Sequence, residues 1–321
     1  MFQEDYGYGE LSDIMLEGIY EAVPAGVQRV IGIGGGTVID MAKLLSLQEC
    51  FPIRNLYAGK IKVVRNKGLI LMPTTCGTGS EVTNVAVLAF TGDNNKVGFV
   101  RDELYADKAV LIPELLDTLP FNVFATTSID AFIHAVEAVL SPNASSTIKL
   151  LAYEAMDMIL SGYLTMKRDG AGQRKALSPR FLRASIYAGI ASANAGSGAV
   201  HALGYPLGAK YHVSHGEANY ALFSDVMEAY RRQNQDGAMA ELNQFLSRLL
   251  QCQLEEVACE LDRLLNLVMP KKPLYRYGVR ESDLNDFTDT VMVSQARLMA
   301  NAFVLLTREQ VYEIYKKHFD A

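Results

Sequence analysis

The texture of the chain changes once, near residue 119, and that change limits the folds open to it. Upstream, short β-branched runs alternate with helical patterns, and residues 28–33 (QRVIGI), 67–72 (KGLILM), 85–89 and 109–112 read as strands. Such alternation predicts a parallel sheet with helices on it. Downstream, apolar residues recur at helical spacing over residues 121–140, 148–166, 180–194, 238–250 and 254–267, so this half is predicted to be almost all α-helix. The expected organisation is an α/β, Rossmann-like domain over residues 1–118 and an all-α domain over 119–321, with the boundary inside IPELLDTLP (112–120). Residues 12–23 read as one helix and 167–178 (KRDGAGQRKALS) as an exposed loop.

Composition narrows the partners. Half of the 321 residues are hydrophobic, enough for two domains with cores, and the net charge of −6 comes without a dense Lys/Arg block. Nucleic acid is therefore not an expected partner. Cys50, Cys76, Cys252 and Cys259 form no CxxC pair, which argues against a disulfide framework or a thiolate zinc site and for a reducing, cytoplasmic compartment. The start, MFQEDYGYGE, lacks the pattern of a secretory signal. Residues 184–209 contain no charged residue, yet they are rich in Ala, Gly and Ser and include Asn194, His201 and Pro206, so a buried helical segment is expected rather than a membrane span.

Two glycine-rich turns follow predicted strands. VIGIGGGTVIDMAK (30–43) runs from a strand through Gly34, Gly35 and Gly36 into an amphipathic helix, where backbone free of Cβ atoms and a helix start suit a pyrophosphate. LILMPTTCGTGSEVT (69–83) repeats the arrangement with Thr74, Thr75, Gly77, Thr78, Gly79 and Ser80. Two donor-rich turns at strand ends fit nucleotide binding in an open α/β sheet better than two structural turns. No Gly-Lys-Ser/Thr follows either, which disfavours phosphoryl transfer by a P-loop.

Asp130 and His134 lie four apart and share one face of an apolar helix. Alone, such a pair reads as a helix-start carboxylate and a satisfied core histidine. His201 and His215, in the charge-poor segment GAVHALGYPLGAKYHVSHGEAN (198–219), change that reading, because three imidazoles and a carboxylate buried together call for a shared cation. One carboxylate with three neutral imidazoles suits Fe²⁺ or Zn²⁺ with a position left open for substrate. His212 stays outside this set, facing substrate or solvent. A dinucleotide site beside an open metal site predicts hydride transfer between an alcohol or aldehyde and a nicotinamide, with the cation as Lewis acid.

GIGGGTVIDMAK, PTTCGTGSEVT, SIDAFIHAVEAVLSP and VHALGYPLGAKYHVSHGEAN, in this order and spacing, resemble the iron-containing (group III) alcohol dehydrogenases, which share a fold with the dehydroquinate synthases. The resemblance implies a metal site at Asp130, His134, His201 and His215. It implies NAD(H), with NADP(H) open, at a pyrophosphate turn over Gly34, Gly35, Gly36 and Thr37 with Asp40 beside it, a nicotinamide-side loop over Thr74, Thr75, Gly77 and Thr78, a ribose-side Lys96 and a cleft lining at Leu116. Many relatives carry a proton-relaying histidine where this chain has Tyr205, so Tyr205 and His212 are the catalytic candidates. Within the family the motifs look most like those of enzymes interconverting 4-hydroxybutyrate and succinate semialdehyde, with Lys210 and His212 as candidates for the carboxylate. Other primary-alcohol or diol dehydrogenases, and a non-catalytic remnant, are the alternatives. A homodimer or higher homo-oligomer is implied as well. The resemblance further implies a strand–helix–strand unit ahead of the first glycine turn, and with 33 residues before Gly34 a unit of about 30 residues is expected to be absent.

Overall fold

The computed structural model of the chain describes residues 1–92 and 95–320. In chain order the principal elements are α1 (Asp13–Ala22), β1 (Arg29–Gly34), α2 (Gly36–Leu45), α3 (Ile53–Tyr57), β2 (Gly68–Pro73), β3 (Val85–Phe90), β4 (Asn95–Val100) and β5 (Lys108–Ala109). Helices follow: α4 (Phe121–Leu140), α5 (Ser146–Asp169), α6 (Arg174–Ala195), α7 (Ala199–Tyr211), α8 (His215–Gln233), α9 (Ala238–Leu250), α10 (Val257–Val268), α11 (Asp283–Ser294), α12 (Ala296–Met299) and α13 (Arg308–Phe319).

The parallel sheet has the order β1-β2-β5, with Val30 opposite Leu69 and Gly34 opposite Pro73. Both glycine turns therefore leave neighbouring strands at the same carboxyl edge. Leu69 and Leu71 pack under Ile39 and Ala42 of α2, which seats that helix on the sheet. β1 is an edge strand, and on the sheet face away from α2 its Ile31 and Ile33 are about half exposed (52% and 53%), an uncovered apolar patch.

Three sequence expectations are corrected. Residues 85–89 do form a strand, but β3 pairs antiparallel with β4 outside the parallel sheet, Val85 opposite Val100. A connection this short cannot cross over, so only antiparallel pairing is open to it, and Gly98 interrupts the apolar pattern that would have announced β4. The strand expected over 109–112 is paired only at Lys108–Ala109. The loop expected over 167–178 is mostly helix: α5 runs to Asp169, Gly170 breaks it at φ +93°, a single 3-10 turn follows, and α6 starts at Arg174. Its polar residues face solvent from helices, which polarity alone could not distinguish from a loop.

Helix α4 follows Pro120 and is long and apolar enough to cross a membrane, yet it is enclosed within the helical core, where Ile129, Phe132, Ile133, Val136 and Val139 are all fully buried. Ser128 on this helix bonds to Phe124 O (2.7 Å) and to the Tyr163 hydroxyl of α5 (2.6 Å), which satisfies its polar atoms in the interior. The charge-poor stretch 184–209 is likewise buried helix, shared between α6 and α7.

The second glycine turn is wedged between the sheet and the helices. A Cβ at Gly77 would stand 2.6 Å from Thr127 Cβ on α4, and one at Gly79, where φ is +57°, would stand 2.6 Å from Gly189 Cα on α6. These are backbone-to-backbone approaches that no side chain can relieve. Gly189→Ala would place its Cβ 2.7 Å from Gly79 Cα and is expected to cost about 1–3 kcal/mol, read as a lower urea midpoint at unchanged slope.

Candidate active site

Asp130 and His134 project from α4, His201 from α7 and His215 from the first position of α8, and their candidate ligand atoms all lie within 4.8 Å of one another. Asp130 Oδ2 is 3.9 Å from His134 Nδ1, and Oδ1 is 3.8 Å from His201 Nε2 and 4.0 Å from His215 Nε2. The His134 and His201 rings stack at 4.4 Å between centroids. Asp130, His134 and His201 are buried, and His215 is partly open.

The hydrogen-bond inventory shows what the cluster is built for. His134 Nδ1 and His201 Nε2 are buried without a hydrogen-bond partner. Burial holds the His134 imidazole at a pKa of about 4, against the pull of Asp130, so it is neutral with a free lone pair. His201 donates its Nδ1 hydrogen to Glu137 at 2.6 Å, which directs the Nε2 lone pair toward Asp130. Asn219 Nδ2 donates to Asp130 Oδ1 at 2.9 Å and fixes the carboxylate. Converging lone pairs, two of them orphaned in the interior, fit a divalent cation of the Fe²⁺ or Zn²⁺ type.

Glu137 escaped the sequence reading, although a single charge one turn beyond His134 in so apolar a helix was a usable signal. Its carboxylate is buried and accepts from Gly198 N (2.8 Å) and Val200 N (2.7 Å) at the start of α7 as well as from His201. Burial alone would raise its pKa, but His201 and these donors hold it below the ordinary carboxylate value. One group thus caps the helix that carries His201 and orients the ring, the outer-shell arrangement that sharpens a metal-binding imidazole.

A cleft of about 370 Å³ runs from this cluster to the first glycine turn. Gly36, Thr37, Asp40 and Thr78 line it at one end and His134, His201, His215 and Tyr205 at the other, and Lys96 and Arg297 also belong to the lining. Gly34 packs against Val38 and Gly36 against Thr78, while Gly35 caps α2. The Thr37 hydroxyl donates to Gly9 O at 3.0 Å. Asp40 is tied into a buried network, accepting from Ser80 Oγ (2.5 Å) and Val87 N (2.9 Å). Fully buried Lys43, also absent from the sequence expectations, joins Asp40 to Ser80, Thr83 and Val85 O, and burial lowers its pKa.

Other candidates lie elsewhere. Thr74, Thr75 and Gly77 hold the second turn behind the cleft lining, with Thr74 N on Gly34 O at 2.9 Å. Leu116 belongs to the helical core rather than to the lining. Lys96 pairs with Glu10 across the cleft wall. His212 is an exposed, left-handed residue (φ +54°) that ends α7, and Lys210, in the last turn of α7, pairs with Asp283 of α11 at 2.7 Å; neither lines the cleft. Tyr205 does line it, its ring 6.0 Å from that of His215.

Comparison with known proteins places this geometry. The family model described as iron-containing alcohol dehydrogenase matches residues 9–113, and the one for the C-terminal part of the Fe-containing alcohol dehydrogenase family matches residues 124–319. The chain belongs to the iron-containing alcohol dehydrogenase family. It is 44% identical over 318 residues to a 4-hydroxybutyrate dehydrogenase of Clostridium kluyveri, covering 99% of this chain and 86% of that protein. It is 37% identical over 300 residues to long-chain-alcohol dehydrogenase 1 of Geobacillus thermodenitrificans, covering 90% and 74%. A solved iron-containing alcohol dehydrogenase from Thermococcus thioreducens superposes with a TM-score of 0.81 at 26% identity, covering 98% of this chain and 83% of that one. Iron and NAD(H) are the cofactors that membership in this oxidoreductase family implies.

Glu137→Gln keeps the volume but removes the charge that orients His201. It is expected to weaken Fe²⁺ or Zn²⁺ binding about 10- to 100-fold in a competition titration with a metallochromic chelator.

Proposed function

We propose that this alcohol dehydrogenase interconverts 4-hydroxybutyrate and succinate semialdehyde with NAD(H), the hydride passing between the substrate carbon and the nicotinamide ring. The observation that carries this reading is the single cleft joining the glycine turn to the Asp130–His134–His201–His215 cluster. A dinucleotide laid along it brings its nicotinamide toward the cluster while its pyrophosphate stays at the start of α2. The name of the Clostridium kluyveri relative supports the substrate, whereas that of the long-chain-alcohol dehydrogenase shows that family membership leaves the substrate open.

Asp130, His134, His201 and His215 would hold the iron, and the same donors accommodate Zn²⁺. When bound, such an ion supplies Lewis-acid stabilisation of negative charge on the substrate oxygen. The chain itself does the positioning. Gly36 and Thr37 present the helix start, and Lys43 and Asp40 keep the second turn against it. In the aldehyde direction a bound NADH would supply the hydride for the carbonyl carbon, leaving NAD⁺, and the oxygen would take up one proton from solvent. Tyr205 has its pKa pushed up to about 12 by burial, so it keeps its proton at neutral pH and is suited to donate a hydrogen bond in the cleft rather than to act as a base. The division at residues 118–119, assembly as a homo-oligomer and a reducing, cytoplasmic setting for the four free cysteines complete the reading, with NADP(H) left open as an alternative to NAD(H).

The direct test loads the protein anaerobically with Fe²⁺ and follows NADH absorbance with succinate semialdehyde, with NADPH as a parallel arm. Oxidation that EDTA abolishes is expected. Loss of absorbance that persists in EDTA, or none with metal bound, contradicts the reading. Asp130→Ala and His215→Ala are expected to lose retained metal and to lower turnover about a thousandfold.

A further inference from the structure

We propose that Arg297 receives the carboxylate of the substrate and thereby sets the enzyme's preference for ω-hydroxy acids over uncharged alcohols. The inference rests on the function proposed above and names the residue that would make that substrate specific.

The cleft needs a cation for an anionic substrate, and its surroundings supply few. Lys96 is buried and already paired with Glu10, and Lys210 is paired with Asp283 away from the lining. Arg297 lines the same cleft as His134, His201, His215 and Tyr205, is exposed to it, and has no ion-pair or hydrogen-bond partner for its guanidinium among the described residues. Its helix, α12, packs against α7, which carries His201 and Tyr205.

The backbone under Arg297 is firmly held. Leu298 and Met299, next on α12, are buried in the helical core. Asn301 donates to Ala195 O (3.0 Å) and Ser197 O (3.1 Å), and accepts from Ser141 Oγ (2.9 Å) and Asn143 Nδ2 (2.8 Å). These bonds fasten the segment to the end of α4 and to the α6–α7 turn, immediately before His201. The chain thus fixes the backbone from which the guanidinium extends while leaving its N–H donors for an incoming group. A planar fork of this kind matches a carboxylate through two parallel hydrogen bonds. Ser192, Ala193 and Gly196 line the same cleft as small residues along which a short aliphatic chain can lie.

The test compares the parent with Arg297→Gln and Arg297→Lys, using succinate semialdehyde and butanal as paired substrates on the metal-loaded enzyme. The ratio of kcat/KM for succinate semialdehyde to that for butanal is expected to fall about 10- to 100-fold in Arg297→Gln, mainly through KM. Arg297→Lys, which keeps the charge but not the fork, is expected to fall between. An unchanged ratio overturns the proposal. Calorimetric binding of 4-hydroxybutyrate to the metal-loaded protein gives a second readout that needs no turnover, and the Kd is expected to rise by a similar factor in Arg297→Gln. Absence of 4-hydroxybutyrate binding to the parent also overturns it, as does a weakening confined to NADH, which would assign Arg297 to a cofactor phosphate. Failure of the parent to reduce either aldehyde counts against the proposed function, while the calorimetric comparison still decides Arg297.

Discussion

The helical half is organised around a carboxylate and three imidazoles that the fold buries together without giving each nitrogen a partner. Burying such groups costs several kcal/mol unless something satisfies them, and two of the nitrogens, His134 Nδ1 and His201 Nε2, have no partner within the protein. Two neighbouring side chains hold the cluster in place. Glu137 accepts three hydrogen bonds, and Asn219 reaches Asp130. The convergence of one carboxylate and three imidazoles, with His134 Nδ1 and His201 Nε2 left without a partner in the protein, is what suits the cluster to a cation.

The second constraint is the close approach of the GTGS turn to both halves. Gly79 meets Gly189 of α6 backbone to backbone, and Gly36 meets Thr78, so the turn is a spacer set between the sheet's carboxyl edge and the helices. Lys43 locks it from beneath by binding Ser80, Thr83 and Val85 O, and Asp40 balances that buried charge. An isolated buried lysine would be costly, whereas one with this many oxygen partners rigidifies the site's floor. The cleft owes its depth to this packing, and the distance between the two ends of the cleft is set by it.

Much of this was legible in the sequence because it is local. The two strand–glycine–helix turns, the extent of α4 and the i,i+4 pair on its face follow from periodicity and need no knowledge of tertiary contacts. His201 and His215 were legible as a charge-poor, glycine-broken stretch. Glu137 was not, since its role depends on where α7 begins in space. His212 and Lys210 stand outside the cleft lining for the opposite reason: they are near His215 in sequence, but Lys210 is turned toward Asp283 of α11 and His212 is the exposed left-handed end of α7. Arg297 lies 82 positions beyond His215 in a segment without any motif, and tertiary packing of Leu298 and Met299 together with the Asn301 bonds brings it to the site. The antiparallel β3–β4 hairpin was hidden by Gly98, which breaks the alternation that marks a strand.

The central claim, that the Asp130–His134–His201–His215 cluster is the metal centre of this enzyme, is tested most directly by crystals of Fe²⁺-loaded protein measured at the iron absorption edge. One anomalous peak per chain within coordination distance of all four side chains is expected. A peak at any other position, or none at this cluster in protein that contains stoichiometric iron, would contradict the account.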